Sequence, residues 1–112
     1  MMFHQQYPVY ICIANILCEK LLKGEYKPLE RFPSVRDYAA ETGVNPNTVA
    51  RTFELLSKCG IIKNHKGVGY FVTENAVGRI IELEREYFLQ EELPRILEKA
   101  AQLNINLKDY IK

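Results

Sequence analysis

The sequence predicts a mostly α-helical chain that contains one small β-hairpin. Three observations support this fold class. Apolar residues recur at helical spacing up to Lys58, a β-branched and aromatic run beside two glycines interrupts that spacing near residue 70, and helical spacing returns from Asn75 onward. With 112 residues, the chain has room for one hydrophobic core and not for two independent ones.

The composition is that of an ordinary globular protein, with 47% hydrophobic and 26% charged residues. No apolar run approaches the roughly 18 residues that a membrane span requires. The opening segment, MMFHQQYP, lacks the basic stretch and the long apolar stretch of a secretory signal. We therefore expect a cytoplasmic protein with no membrane contact.

The residues that most often carry catalysis or metal binding show no functional spacing. Cys12, Cys18 and Cys59 form no Cys-x-x-Cys pair, which favours buried thiols over a disulfide framework or a zinc site. His4 and His65 have no metal-ligating neighbour at a suitable spacing. The glutamates of the last third alternate with arginines, as on a solvated helix face. We expect no enzyme activity, no metal and no cofactor.

The first half of the chain predicts two helices separated by a loop. Pro8 opens the first helix and Gly24 ends it. Its apolar stripe consists of Val9, Ile13, Ile16, Leu17 and Leu21. The segment EYKPLERF has no helical period and predicts a loop. Ser34 is the expected N-cap of the second helix, with Asp37 in the acidic capping position.

A sharp turn and a third helix follow directly. Gly43 can adopt the positive φ that closes one helix and turns the chain into the next. Asn45 is a good N-cap and Pro46 a good first helical residue, so the third helix is expected to run to about Lys58.

The rest of the chain predicts a hairpin and two more helices. Short strands around Ile61–Lys63 and Tyr70–Thr73 enclose a turn with a basic tip. A helix is expected from Asn75 and another from Pro94, ending near the Asn104-Ile105-Asn106 segment.

Three helices followed by a hairpin, with a tight turn between the second and third helices, are the elements of a winged helix-turn-helix. In that motif the start of the third helix enters the major groove of DNA. Here this start carries Asn45, Asn47, Thr48 and Arg51, whose side chains suit base edges and phosphates. We expect residues 1–74 to form a DNA-binding domain, although the net charge of only +1 gives no support on its own.

The run PSVRDYAAETGVNPNTVARTFELLSKCGIIKNHKGVGYFV resembles the DNA-binding domain of the GntR family of bacterial transcription regulators. Three blocks occur in the family's order: Pro-Ser-x-Arg, Gly-Val-Asn-Pro-Asn-Thr-Val and Gly-x-Gly-x-Phe-Val. The resemblance covers about Tyr7 to Thr73 and implies a set of DNA-contacting residues. These are Ser34, Arg36, Asn45, Asn47, Thr48, Arg51, Lys66, Gly67 and Gly69. The family's usual Pro-Gly is replaced here by Pro28-Leu29, and its usual Leu-Pro-Ser by Phe32-Pro33-Ser34.

The short tail resembles that of the small YtrA-like subfamily, in which two helices follow the winged domain and pair in a homodimer. We therefore expect residues 75–112 to be a helical dimerisation tail, with the two protomers on a palindromic operator. The expected dimerisation residues are Ile80, Ile81, Phe88, Leu93, Ile96 and Leu97. The resemblance also implies repression and adjacent transporter genes, while the sequence identifies no small-molecule effector.

Two alternatives stay open at the level of sequence. A winged domain can serve as a protein-interaction module, which the near-neutral net charge would suit. The two tail helices could also pack back on their own domain without a partner.

Overall fold

A computed structural model describes residues 8–112 of the chain. His4 and Tyr7, with the start of the expected domain 1–74, lie outside the described residues. The described helices are α1 (Val9–Leu22), α2 (Val35–Thr42), α3 (Pro46–Lys58), α4 (Ala76–Tyr87) and α5 (Leu93–Gln102). The strands are β1 (Ile62–His65) and β2 (Gly69–Val72), and they pair antiparallel. This confirms the predicted mostly helical fold with one hairpin.

The apolar stripe predicted for α1 is only partly correct. Ile13, Leu17 and Leu21 are buried as expected. Val9 and Ile16, in contrast, are 59% and 49% exposed. The buried arc of α1 is completed instead by Ala14, Asn15 and Cys18, because α3 and α4 pack against that side of the helix.

Phe53 of α3 is the centre of the core and is fully buried. Its ring lies 5.2 Å from those of Phe32 and Tyr70 and 6.1 Å from that of Tyr38. Tyr26 packs on Phe32 at 4.9 Å. Tilted and edge-to-face arrangements of this kind are the favoured geometries of aromatic pairs. One cluster therefore fixes α2, α3, the hairpin and the segment before α2 relative to one another.

The segment expected to be a loop between α1 and α2 contains a short strand-like stretch. The Phe32 N–H donates to the carbonyl of Tyr70 at 2.8 Å, and the Val72 N–H donates to that of Glu30 at 2.9 Å. An isolated antiparallel bridge joins Arg31 to Phe71. Residues 29–32 thus lie along β2, and the predicted loop is present with one addition, the bridge from Arg31 to the hairpin.

The two helices predicted for the tail are present, but no break separates them. A π-helical turn, Phe88–Glu92, joins α4 to α5, and helical dihedral angles continue through Tyr87 and Leu93. A proline ring clashes with the carbonyl four residues earlier in a regular α-helix. The wider turn before Pro94 removes this conflict. The helix α4, this turn and α5 therefore form one continuous arm.

The arm extends away from the rest of the molecule. The radius of gyration is 17.2 Å and the principal extents are 57 × 28 × 20 Å, whereas a compact domain of this length has a radius of about 13 Å. Ala100 is the buried residue of α5. Among the described residues, no helix is long and apolar enough to cross a membrane.

Candidate nucleic-acid interface

The turn between α2 and α3 is built by local capping bonds. Ser34 Oγ accepts the Asp37 N–H at 3.0 Å, which caps α2 as the sequence predicted. Gly43 ends α2 with φ of +75°, and its N–H donates to the Ala39 carbonyl at 2.9 Å. A residue with a side chain is strained at this φ, so glycine allows the chain to reverse sharply into α3.

The start of α3 presents polar side chains to solvent. Asn45 Oδ1 accepts the Asn47 N–H at 2.8 Å, and Pro46 occupies the first turn. Asn45 and Asn47 are exposed and Thr48 is half-buried. The N-terminal end of a helix also carries partial positive charge from its unpaired N–H groups, which attracts phosphate. The geometry at this end of α3 therefore suits a polyanion.

Arg36 lies beside the start of α3. It is exposed on α2 and lines a shallow depression together with Gly43, Asn45 and Pro46. Among the described residues, no carboxylate lies within ion-pair distance of its guanidinium. The structure thus brings an uncompensated cation next to the polar end of α3.

Arg51 occupies a different position from Arg36. Its guanidinium carbon lies 4.1 Å from the centroid of the Tyr10 ring, in a cation–π contact with α1. Thr52 Oγ1 donates to the Tyr10 carbonyl at 2.7 Å and ties the same part of α3 to α1. Arg51 is therefore oriented by α1, on a part of α3 one turn beyond its polar start.

The basic tip expected for the hairpin is present as a turn around Lys66 and Gly67, both exposed. The Val68 N–H donates to the His65 carbonyl at 2.9 Å and closes the turn. Gly69 begins β2 directly after it. The hairpin formed by β1, the turn and β2 is the wing of the motif. The contact of Phe53 with Tyr70 fixes β2 against α3, so the orientation of the wing relative to α3 is set by the core.

Arg31 is a basic wing residue that sequence reasoning missed. Its Nη2 donates to the Val68 carbonyl at 2.7 Å, and its guanidinium lies 3.4 Å from where a Cβ at Gly69 would stand. An arginine in an expected loop carries no spacing signal. Only the pairing of residues 29–32 with β2 places it beside the turn.

The residues expected to mediate dimerisation fall into two groups. Ile81, Phe88, Ile96 and Leu97 are 42–51% exposed on the arm, and Leu93 is half-buried. Leu89, which the sequence reasoning did not select, is 57% exposed. The expectation that Ile80 mediates dimerisation is corrected, because its side chain is fully buried in the core of the single chain and offers no surface to a partner.

The described titratable groups do not form a reactive centre. Burial raises the pKa of the Cys18 thiol to about 12. Burial also raises the pKa of Cys59, partly opposed by the charge of Arg79, and that of the Tyr38 phenol. Protonated thiols are weak nucleophiles and weak metal ligands. Within residues 8–112, no group of three or more His, Cys, Asp or Glu side chains could hold a metal.

Comparison with known proteins gives consistent results. Residues 10–72 match the model of the bacterial regulatory proteins, gntR family. The HTH-type transcriptional repressor YtrA of Bacillus subtilis (strain 168) is 33% identical over 90% of this chain and 77% of its own length. The HTH-type transcriptional regulator YhcF of the same organism is 29% identical over 98% and 89% of the two chains. A crystal structure described as a GntR-family transcriptional regulator from Bacteroides thetaiotaomicron superposes with a TM-score of 0.82. That protein is 38% identical, and the match covers 92% of this chain and 89% of the other.

Proposed function

This chain belongs to the gntR family of bacterial regulatory proteins, and on that premise we propose that it represses transcription by binding a palindromic operator as a homodimer. Membership makes it a DNA-binding transcription regulator and not an enzyme. The observation that carries the proposal is the polar start of α3, which Arg36 flanks and which no carboxylate of residues 8–112 neutralises.

Two kinds of DNA contact are proposed for the winged domain. The start of α3 enters the major groove, where the amides of Asn45 and Asn47 and the hydroxyl of Thr48 meet base edges or phosphates. Arg36 binds the same stretch of DNA from α2. The wing tip, with Lys66 and Gly67, contacts the neighbouring backbone, while Ser34 at the start of α2 donates its hydroxyl to phosphate.

Arg51 is proposed to contact the DNA backbone instead of a base. One face of its guanidinium lies on the Tyr10 ring, which leaves the N–H donors on the edge of the group available. A guanidinium that is stacked on one face can still bind a phosphate through its edge. Tyr10 therefore orients Arg51 before DNA arrives.

The homodimer is proposed from the exposed apolar surface of the arm. Large exposed apolar patches on a soluble chain mark interaction sites, and Phe88, Leu89, Ile96 and Leu97 are all more than 40% exposed on this segment. A two-fold pairing of arms would present two copies of α3 to successive major grooves, about 34 Å apart on a palindromic site.

We propose that the boundary between the DNA-binding domain and the dimerisation tail lies beyond residue 74. Ala76 and Ile80 of α4 are fully buried in the same core as α1 and α3. The first turns of α4 therefore support the DNA-binding domain, and we propose that pairing uses the rest of the arm, from Ile81 onward.

Repression is proposed from one relative. The YtrA protein of Bacillus subtilis is named a transcriptional repressor, and the present chain aligns with it through both the winged domain and most of the arm.

The proposed site is tested by mobility-shift titrations on DNA from upstream of the protein's own gene. Replacing Arg36 by alanine removes a DNA contact worth roughly 1–3 kcal/mol, and affinity is expected to fall about 5- to 150-fold. Lys23→Ala is the matched control, since Lys23 is exposed at the C-cap of α1 and does not line the depression beside Arg36. Wild-type affinity in Arg36→Ala would overturn the assignment. Binding that is weak and insensitive to salt would favour a protein-interaction module.

A further inference from the structure

Arg31 occupies a position that the contacts proposed above leave without a function. Its backbone forms the bridge to Phe71, so the residue lies alongside β2. Its side chain crosses toward the wing turn and donates from Nη2 to the Val68 carbonyl at 2.7 Å. The residue is exposed, and no carboxylate of the described chain pairs with it.

The Arg31 guanidinium also lies close to Gly69, the residue that follows the turn of the hairpin. Gly69 has φ of +129°, a conformation that residues with a side chain rarely adopt. The guanidinium lies beside Gly69, with Nη2 at 3.4 Å and Nε at 3.6 Å from the ideal Cβ position, which is ordinary van der Waals contact. The Arg31 side chain therefore donates a hydrogen bond to Val68 and lies beside the next residue, Gly69.

We propose that Arg31 is a positioning residue of the wing that also binds a DNA backbone phosphate. The inference rests on the proposed DNA-binding function. A guanidinium carries several N–H donors, and here the bond to Val68 uses one of them. The remaining donors face solvent beside the wing tip, where a phosphate can be bound with the turn already held in shape.

Arginine suits both tasks and lysine suits only one. A planar guanidinium donates in several directions at once, so it can hold the Val68 carbonyl and a phosphate together. An ammonium on a flexible stem can supply the charge but is poorly matched to the flat packing against Gly69. Lys66 lies on the turn itself and supplies charge, but its side chain makes no hydrogen bond or ion pair with the described residues that would fix the turn.

The test compares Arg31→Gln and Arg31→Lys with the wild type in mobility-shift titrations at several salt concentrations. Glutamine keeps a planar polar group with N–H donors but loses the charge. We expect its affinity to fall about fivefold near physiological salt, and its slope of log K against log salt to become shallower by about one for each bound protomer. Lysine is expected to keep the wild-type slope and to lose less affinity. Lys27→Ala, exposed in the same segment, is expected to match the wild type.

If Arg31→Gln kept the wild-type slope, Arg31 would have a structural role or none, whatever its thermal unfolding midpoint showed. Equal slopes and equal affinities for both variants would remove the positioning role as well. Failure of the underlying function looks different, because then the wild type and Arg36→Ala would bind upstream DNA equally weakly.

Discussion

Leu29 holds a backbone conformation that leucine rarely adopts, with φ of +67°. The GntR family usually has Pro-Gly where this chain has Pro28-Leu29, and a glycine at this position would adopt the conformation without strain. The conformation is held by two bonds: the Leu29 N–H donates to the Val72 carbonyl at 3.0 Å, and the Lys27 N–H donates to Glu30 Oε1 at 2.7 Å. The pairing of residues 29–32 with β2 thus imposes the strain.

Replacing Leu29 by glycine is expected to stabilise the protein. A left-handed conformation costs about 1–2 kcal/mol in residues with a side chain, and glycine loses roughly 0.5–1 kcal/mol of this gain through the entropy of the unfolded chain. The net gain should raise the thermal unfolding midpoint by about 2–4 °C. Leu29→Ala keeps the strain and is the control, since its midpoint should not rise. A midpoint of Leu29→Gly at or below the wild-type value would contradict the strain.

Residue-level features were predictable where their cause is local. Ser34 and Asn45 were identified as caps because a side-chain oxygen bonds an N–H two or three residues away, and the structure shows both bonds. Arg31 and Ile80 were missed or misassigned for the opposite reason. Their environments depend on residues 37 positions away for Arg31 and on packing against α1 for Ile80.

At the scale of elements, α2 depends on its cap. Ser34→Ala should cost about 1 kcal/mol of stability, because the Asp37 N–H loses its acceptor. Ser34→Asp keeps an equally good cap and should retain wild-type stability. It also places a negative charge at the start of α2, so DNA affinity should fall at least as much as in Ser34→Ala. Thermal unfolding and mobility shifts separate the two effects. Full affinity in Ser34→Asp would exclude Ser34 from the interface.

Helices were easier to predict from sequence than pairing between distant segments. The starts of α2 and α3 follow from caps and a proline, and the hairpin follows from a β-branched and aromatic run beside glycines. Residues 29–32 show no such alternation, because they pair with β2 through few bonds and remain mostly exposed. The join between α4 and α5 was also missed, since Pro94 indicates a helix start and gives no sign of the π-helical turn before it.

At the scale of the whole molecule, a well-packed core carries an extended arm. The aromatic cluster around Phe53 and the buried residues of α1 and α4 form that core. The arm, with extensive exposed apolar surface, is costly for a chain that stays alone in water. The sequence predicted that the tail carries more apolar residues than one chain buries. It could not distinguish the buried Ile80 from the exposed Ile81, because both faces of α4 carry apolar side chains.

Two chains are proposed to pair through their arms in order to bind one operator. Light scattering during size-exclusion chromatography measures the mass of the protein alone and in complex with a duplex from the upstream region. The wild type is predicted to have twice the mass of one chain and to place two chains on each duplex. The double variant Ile96→Glu, Leu97→Glu should be a monomer with much weaker DNA binding. Gln102→Glu adds a negative charge to the same helix without removing apolar surface, so it should behave as the wild type. A wild type that is monomeric both alone and on the duplex would contradict the claim.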